Sequence, residues 1–150
     1  MCASAATATT LLGAAPAYAA TPVTVNAVLG TMGITGTAFG DIITVAGGNG
    51  TVTVSSPSAV LKAEFGCTQL GSTVRCTGVG LIEFTGLDGD DKFTNNTSTR
   101  SSQFAGFGND RLIGGSGNDR LAGGPGTDVA NGGAGVDSCT AETKTSCEKS

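Results

Sequence analysis

The sequence predicts an all-β chain whose C-terminal half is a parallel β-roll, a solenoid of short stacked coils, preceded by Gly-rich β-strand coils or a cap. Three observations carry this expectation. A nine-residue unit recurs four times in register between Ala105 and Thr140, glycine supplies 25 of 150 residues, and short β-branched runs separated by Gly-rich turns fill 21–85. A fixed short period means one small supersecondary unit stacked on itself. No helix is predicted anywhere in the chain.

Residues 1–20 read as a leader. They hold nine Ala and Leu11-Leu12, and they close with Ala17-Tyr18-Ala19 before Ala20, a small-x-small pattern that resembles a secretory cleavage site. No Lys or Arg precedes the apolar part, because the first charged residue of the chain is Asp41. Export to the extracellular space is the expectation. No run of eighteen apolar residues follows, so no membrane span is expected.

Residues 21–85 carry strand texture in Val23 to Val25, Asp41 to Val45, Thr51 to Val54, Ala59 to Glu64 and Leu81 to Phe84. Alternation is clean in Thr51 to Val54, as a strand with one wet face requires. Cys67 to Cys76 reads as a hairpin around Gly71-Ser72. With Cys2 in the leader, four cysteines remain, in two close pairs, Cys67 with Cys76 and Cys139 with Cys147. An even count in an exported chain points to disulfides, local pairing being one of three connectivities. Zinc is disfavoured, since the chain has no His and no Cys-x-x-Cys.

Residues 86–140 hold the repeats. The copies are Ala105-Gly106-Phe107-Gly108-Asn109-Asp110 followed by Arg-Leu-Ile, Gly114-Gly115-Ser116-Gly117-Asn118-Asp119 followed by Arg-Leu-Ala, Gly123-Gly124-Pro125-Gly126-Thr127-Asp128 followed by Val-Ala-Asn, and Gly132-Gly133-Ala134-Gly135-Val136-Asp137 followed by Ser-Cys-Thr. An outlying copy, Gly86 to Thr94, replaces the second Gly by Leu87 and ends its loop on Asp91. Gly36 to Val45 looks like an eroded copy, with Asp41 in the place of the repeated Asp. The column expected to point inward is Phe93, Leu112, Leu121, Ala130 and Cys139, and it shrinks toward the C-terminus. The tail, 141–150, is polar and is expected to fray beyond Cys147.

This pattern resembles the repeats-in-toxin (haemolysin-type) calcium-binding nonapeptide repeats, over roughly a third of the chain. The resemblance implies a β-roll with Ca2+ held in the turns, and opening coils or a cap in 21–85. The residue chemistry agrees. Calcium takes six to eight oxygens from carboxylates and main-chain carbonyls at flexible geometry. Glycine curls the loop so that successive carbonyls aim at one point, and the Asp adds negative charge. Turn formation alone would explain one copy; four in register, with seven of the eight Asp of the chain between Asp88 and Asp137, favour ligation.

A nine-residue unit is half a coil, so ligands should pair at a spacing of eighteen, Asp110 with Asp128 and Asp119 with Asp137, one site on each side of the roll. Asp91 and Asp110 are nineteen apart; a third site there requires 95–104 to absorb one residue as a bulge. The expected metal ligands are thus Asp91, Asp110, Asp119, Asp128 and Asp137 together with Gly106, Gly108, Gly114, Gly115, Gly117, Gly123, Gly124, Gly126, Gly132, Gly133 and Gly135. Asp41 has no partner eighteen residues away and is expected to serve the turn.

Other chemistry is thin. Without His there is no Ser-His-Asp or Cys-His triad and no His-Glu-x-x-His site. There is no Gly-x-Ser-x-Gly elbow and no phosphate-binding Gly-x-x-x-x-Gly-Lys loop. The net charge of −4 and the scattered basic residues disfavour nucleic acid. Three readings remain: a secreted calcium-binding roll, a cell-surface adhesion or matrix element with the roll as a stiffened stalk, and a polysaccharide-acting enzyme using some of Glu64, Glu83, Glu142 and Glu148. The expectation is that the chain is not an enzyme. A partner surface should expose clustered aromatics, whereas Phe39, Phe65, Phe84, Phe93, Phe104 and Phe107 are expected to face mostly inward.

Overall fold

A computed structural model of the protein describes residues 21–149. The leader expected at 1–20, with Cys2, lies outside them. The described residues form fifteen β-strands and no helix, so the chain is all-β. The strands are β1 (Val23–Val28), β2 (Thr31–Thr35), β3 (Ile42–Gly48), β4 (Thr51–Ser55), β5 (Leu61–Ala63), β6 (Cys67–Leu70), β7 (Thr73–Thr77), β8 (Leu81–Asp88), β9 (Lys92–Asn96), β10 (Ser101–Phe107), β11 (Arg111–Gly115), β12 (Arg120–Ala122), β13 (Val129–Gly133), β14 (Ser138–Thr140) and β15 (Thr143–Thr145). None of the described elements is a helix long and apolar enough to cross a membrane.

Chain direction alternates between two sheets, which is the mark of a roll. One sheet runs β14-β12-β10-β8-β2-β1-β5 and the other β15-β13-β11-β9-β3-β4-β7-β6. The parallel pairs β2–β8, β8–β10, β10–β12 and β12–β14 stack in the first sheet, and β3–β9, β9–β11, β11–β13 and β13–β15 in the second. Five coils result: β2 with β3, β8 with β9, β10 with β11, β12 with β13, β14 with β15. The solenoid therefore begins at Thr31, and β8 runs through position 85. Between the first and second coils the chain makes an excursion, β4 to β7, in which β4, β7 and β6 extend the second sheet with antiparallel pairs while β5 pairs parallel with β1 at the end of the first. The hairpin expected at Cys67 to Cys76 is β6–β7, with Leu70 opposite Thr73 around Gly71-Ser72.

Inward side chains of both sheets meet in one hydrophobic cluster. Ile43, Phe93, Leu112 and Ala130 stack along one sheet, and Ile34, Phe84, Gln103, Leu121 and Cys139 along the other. All five residues expected in the inward column are buried. Phe84 and Phe93 stack across the two sheets with ring centroids 4.4 Å apart. Burying one such large apolar side chain contributes roughly 1.5–3 kcal/mol. The taper from Phe93 to Ala130 makes the last coils the poorest in that contribution.

Two expectations are corrected. Only Phe84 and Phe93 of the six phenylalanines lie in the core; Phe39, Phe65, Phe104 and Phe107 are exposed, at 67%, 78%, 51% and 63%. The register of β10 explains Phe104. Pairing of Gln103 with Phe84 and Leu121 fixes which face is inward, and the strand alternation then sends Phe104 out. Gln103 stays inside because its Nε2 donates to Ser101 Oγ and the Ile113 carbonyl. The tail is also tied down beyond Cys147. The N–H of Lys149 donates to the Asp137 carbonyl at 2.9 Å, that of Cys139 to the Lys149 carbonyl at 3.1 Å, and disulfides join Cys139 to Cys147 and Cys67 to Cys76.

Candidate metal centre

Each repeat spends six residues, Gly-Gly-x-Gly-x-Asp, on a loop that turns the chain from one sheet to the other. The backbone takes positive φ at the second position of every copy and at the fourth position of all but the one with Gly117, as at Gly124 (115°) and Gly126 (155°), a region in which a Cβ is disfavoured. A Cβ on Gly124 would also fall on the Gly106 carbonyl, and one on Gly126 on the Gly108 carbonyl, of the loop one coil earlier. Glycine thus lets loops on one edge of the roll stack with their main-chain oxygens packed between them. The second-position exception, Leu87, has φ of 87°.

The aspartates that end the loops form two columns. On one edge Asp41, Asp91, Asp110 and Asp128 stack in that order. The N–H of Asp41 donates to Asp91 Oδ1, that of Asp91 to Asp110 Oδ1, and that of Asp110 to Asp128 Oδ1, at 2.7, 2.7 and 2.9 Å. On the other edge the N–H and Oγ of Ser101 donate to Asp119 Oδ1, and the N–H of Asp119 donates to Asp137 Oδ1 at 2.8 Å. The structure therefore stacks Asp110 with Asp128 and Asp119 with Asp137. Gly106, Gly108, Gly123, Gly124 and Gly126 lie on the first edge; Gly114, Gly115, Gly117, Gly132, Gly133 and Gly135 lie on the second.

Asp91 also stacks on Asp110, despite the spacing of nineteen. The surplus residue sits at 95–96, because Thr94 pairs with Ile113 nineteen residues on, whereas the Ser116 N–H donates to the Thr97 carbonyl as that of Ala134 does to Gly115, which aligns Thr97 with Gly115 eighteen residues on. That loop has no Gly. Asn95 takes over its turning, accepting at Oδ1 from the N–H and Oγ1 of Thr97 and donating from Nδ2 to the Thr99 carbonyl.

Each carboxylate of the repeats uses one oxygen in its column and leaves the other alone. Oδ2 of Asp91, Asp110, Asp119, Asp128 and Asp137 is buried with no hydrogen-bond partner. Such an atom is costly unless something positive meets it. Burial pushes the Asp91 carboxyl up to about 7, against the N–H of Asp41 and with the charges of Asp41, Asp110 and Asp90. Burial likewise raises Asp119 to about 6, with Ser101 opposing and Asp137 reinforcing. Asp110 is raised too, by burial first, then by the charges of Asp128 and Asp90. Asp41 differs, since its Oδ2 accepts the Thr37 N–H at 2.7 Å.

A divalent cation fits this donor set. At Gly86, Gly114 and Gly132 the site of the missing Cβ is shared by two oxygens, the orphaned Oδ2 of the same loop's Asp and a main-chain carbonyl of the next coil, from Ala105, Gly132 and Ser146 respectively. Among the described residues no three His, Cys, Asp or Glu side chains converge as a metal cluster. The ligands on offer are consequently one or two carboxylates with main-chain carbonyls, a set suited to a hard, flexible cation and ill suited to zinc.

Sequence reasoning missed two members of the columns. Glu142 Oε2 accepts the Asp128 N–H at 2.7 Å, and Glu148 Oε2 accepts the Asp137 N–H at 2.8 Å, so each column ends on a glutamate from the tail. The Asp128 N–H holds the Glu142 carboxyl below the usual range. Their spacings of 14 and 11 from the preceding Asp break the period, which left no signal for them in the repeat. Asp41 was likewise missed as a column member, because fifty residues separate it from Asp91.

Residues 104–139 match the family model of the RTX calcium-binding nonapeptide repeat, in four copies. No curated protein and no solved structure matches the chain. The matched segment holds the middle rungs of both columns, seven of the positive-φ glycines and four of the five orphaned carboxylate oxygens.

Proposed function

We propose that this is a secreted, non-catalytic protein that binds Ca2+ between stacked Gly-rich loops, and that the ion completes the C-terminal coils. The single observation that carries the reading is the set of five buried Oδ2 atoms without partners, all on aspartates that end Gly-rich loops, four of them in the segment that matches calcium-binding repeats. Asp91, Asp110 and Asp128 would hold ions on one edge, and Asp119 and Asp137 on the other, with carbonyls of the loop glycines. The bound ion supplies the positive charge that these carboxylates lack. The two disulfides agree with an oxidising, extracellular setting.

The chain's own contribution is to hold the carboxylates in place before any ion arrives. Column hydrogen bonds fix Oδ1 of each Asp, and the absent Cβ atoms let carbonyl and carboxylate oxygens crowd against the loop backbone. An ion that binds only the folded coils then stabilises them by RT ln(1 + [L]/Kd), and extracellular calcium modules commonly have Kd of about 10⁻⁴ to 10⁻³ M. Titration of calcium into the metal-stripped, disulfide-intact protein, followed by calorimetry and circular dichroism, tests this. Heat of binding with a rise in thermal stability is the expected result. No heat and no change in melting temperature would remove the reading.

A second reading has an observation of its own. Phe104, Phe107, Leu87, Ala38 and Pro125 line one shallow, mainly apolar groove on the outside of the first sheet. Clustered exposed aromatics are what a surface for a cell-wall or matrix partner requires. In that reading the coils stiffen the platform. Retention of the wild type on cell-wall material, lost in Phe104→Ser/Phe107→Ser and insensitive to those changes in calcium titrations, would support it; equal retention of both proteins would oppose it.

A further inference from the structure

The tail repeats the local geometry of a loop without repeating its sequence. Ser146 has φ of 49°, the left-handed conformation that glycines take elsewhere in the turns. Its carbonyl lies beside the missing Cβ of Gly132, together with the orphaned Oδ2 of Asp137. The Gly132 carbonyl and Asp119 Oδ2 share the missing Cβ of Gly114 in the same way. Two residues on, Glu148 Oε2 accepts the Asp137 N–H at 2.8 Å, as Asp137 Oδ1 accepts that of Asp119. Three tail residues, Ser146, Cys147 and Glu148, thus provide the carbonyl and the carboxylate for which a repeat uses six.

Two constraints hold this short segment in register. The Cys139–Cys147 disulfide ties its middle residue to the inward position of β14, and Lys149 bridges in parallel to Ser138. Asp137 is fully buried, and its unpartnered Oδ2 is costly without a positive partner.

We propose that Asp137, the Ser146 carbonyl and Glu148 form an additional Ca2+ site beyond the last repeat, closed by the Cys139–Cys147 disulfide. The assignment of the ion rests on the calcium reading above. With two carboxylates and one carbonyl from protein, and Glu148 exposed, water supplies the remaining ligands and the site is the weakest on its edge. Asp137 serves two ions, one shared with Asp119 and one with the tail.

Calcium titration of the oxidised full chain by calorimetry tests this, beside Glu148→Gln, Asp119→Asn and Asp137→Asn. Gln keeps an acceptor for the Asp137 N–H, so Glu148→Gln preserves the column bond while removing charge. The expected result is loss of one ion, or at least about tenfold weakening of the weakest one, in Glu148→Gln; Asp119→Asn loses one ion and Asp137→Asn two. Backbone amide resonances of Asp137, Cys147 and Glu148 should shift together in the last stage of a calcium titration of the wild type. A wild type that binds no calcium overturns the proposal along with the calcium reading. A wild type that binds calcium, with Glu148→Gln unchanged in stoichiometry and affinity or with those amides silent, overturns the proposal alone.

Discussion

Asp41 and Asp91 are separated by fifty residues and occupy adjacent rungs of one column, the N–H of the first donating to Oδ1 of the second at 2.7 Å. Position in the column does not make Asp41 equivalent to the rungs below it. Its Oδ2 is satisfied by Thr37, whereas those of Asp91, Asp110 and Asp128 are not. Asp41→Ala is expected to leave the number of bound calcium ions unchanged and to cost about 1.5–3 kcal/mol, the range for a hydrogen bond to a charged group. Asp119→Ala is expected to remove one ion. Calorimetric stoichiometry and urea unfolding at saturating calcium separate the two effects; equal ion loss in both variants would refute the distinction.

The pH dependence should change sign with calcium. Burial pushes Asp91 up to about 7 and Asp119 up to about 6 in the fold, above the ordinary carboxylate range. The metal-free fold therefore binds protons more tightly than the unfolded chain. The stability contributed by protonation is present below the unfolded value and is lost as pH rises through the folded values. Calcium requires the ionised carboxylates, so its affinity should fall as pH drops below about 7 and further below about 6. Melting temperatures at pH values between about 5 and about 8, with chelator and with calcium, check this; parallel trends in the two series would contradict it.

Loop stacking depends on glycine most where a carbonyl occupies the Cβ position. Gly126→Ala would place a methyl on the Gly108 carbonyl at φ of 155°. A loss of about 3 kcal/mol is expected, from overpacking and backbone strain together. Gly71→Ala, at φ of 61° with open space around it, should cost only about 1 kcal/mol. Denaturant unfolding at saturating calcium gives both numbers, and similar losses would show that carbonyl crowding is unimportant.

Leu87 holds a positive φ without being glycine. Strain of this kind costs on the order of 1–3 kcal/mol. Leu87→Gly is expected to raise stability by about 1 kcal/mol after loss of the side chain's partial burial, an outcome that thermal unfolding reads directly. If the groove beside Phe104 and Phe107 serves a partner, the same substitution weakens that contact while stabilising the fold.

Much of this architecture was legible because the period is short and strict. Nine residues per half coil place Leu112, Leu121, Ala130 and Cys139 inward and bring the aspartates together eighteen apart, as they stack in the fold. Where the period fails, legibility fails with it. The excursion β4 to β7 hides the partnership of Asp41 with Asp91, and the short tail hides Glu142 and Glu148. Phe104 and Gln103 show a different limit. Hydrophobicity argued for Phe inward, but in-register pairing with Phe84 and Leu121 placed Gln there, since neighbouring coils fix the face before side-chain preference acts.

The hydrogen bonds of both columns point the same way along the chain: the earlier residue gives the proton and the later one receives it. On a ribosome the givers are made first and wait. A nascent polypeptide that has reached Asp137 still leaves that residue's own amide without its receiver, which arrives with Glu148. Closure of each column thus waits in synthesis for the glutamate that follows its last aspartate.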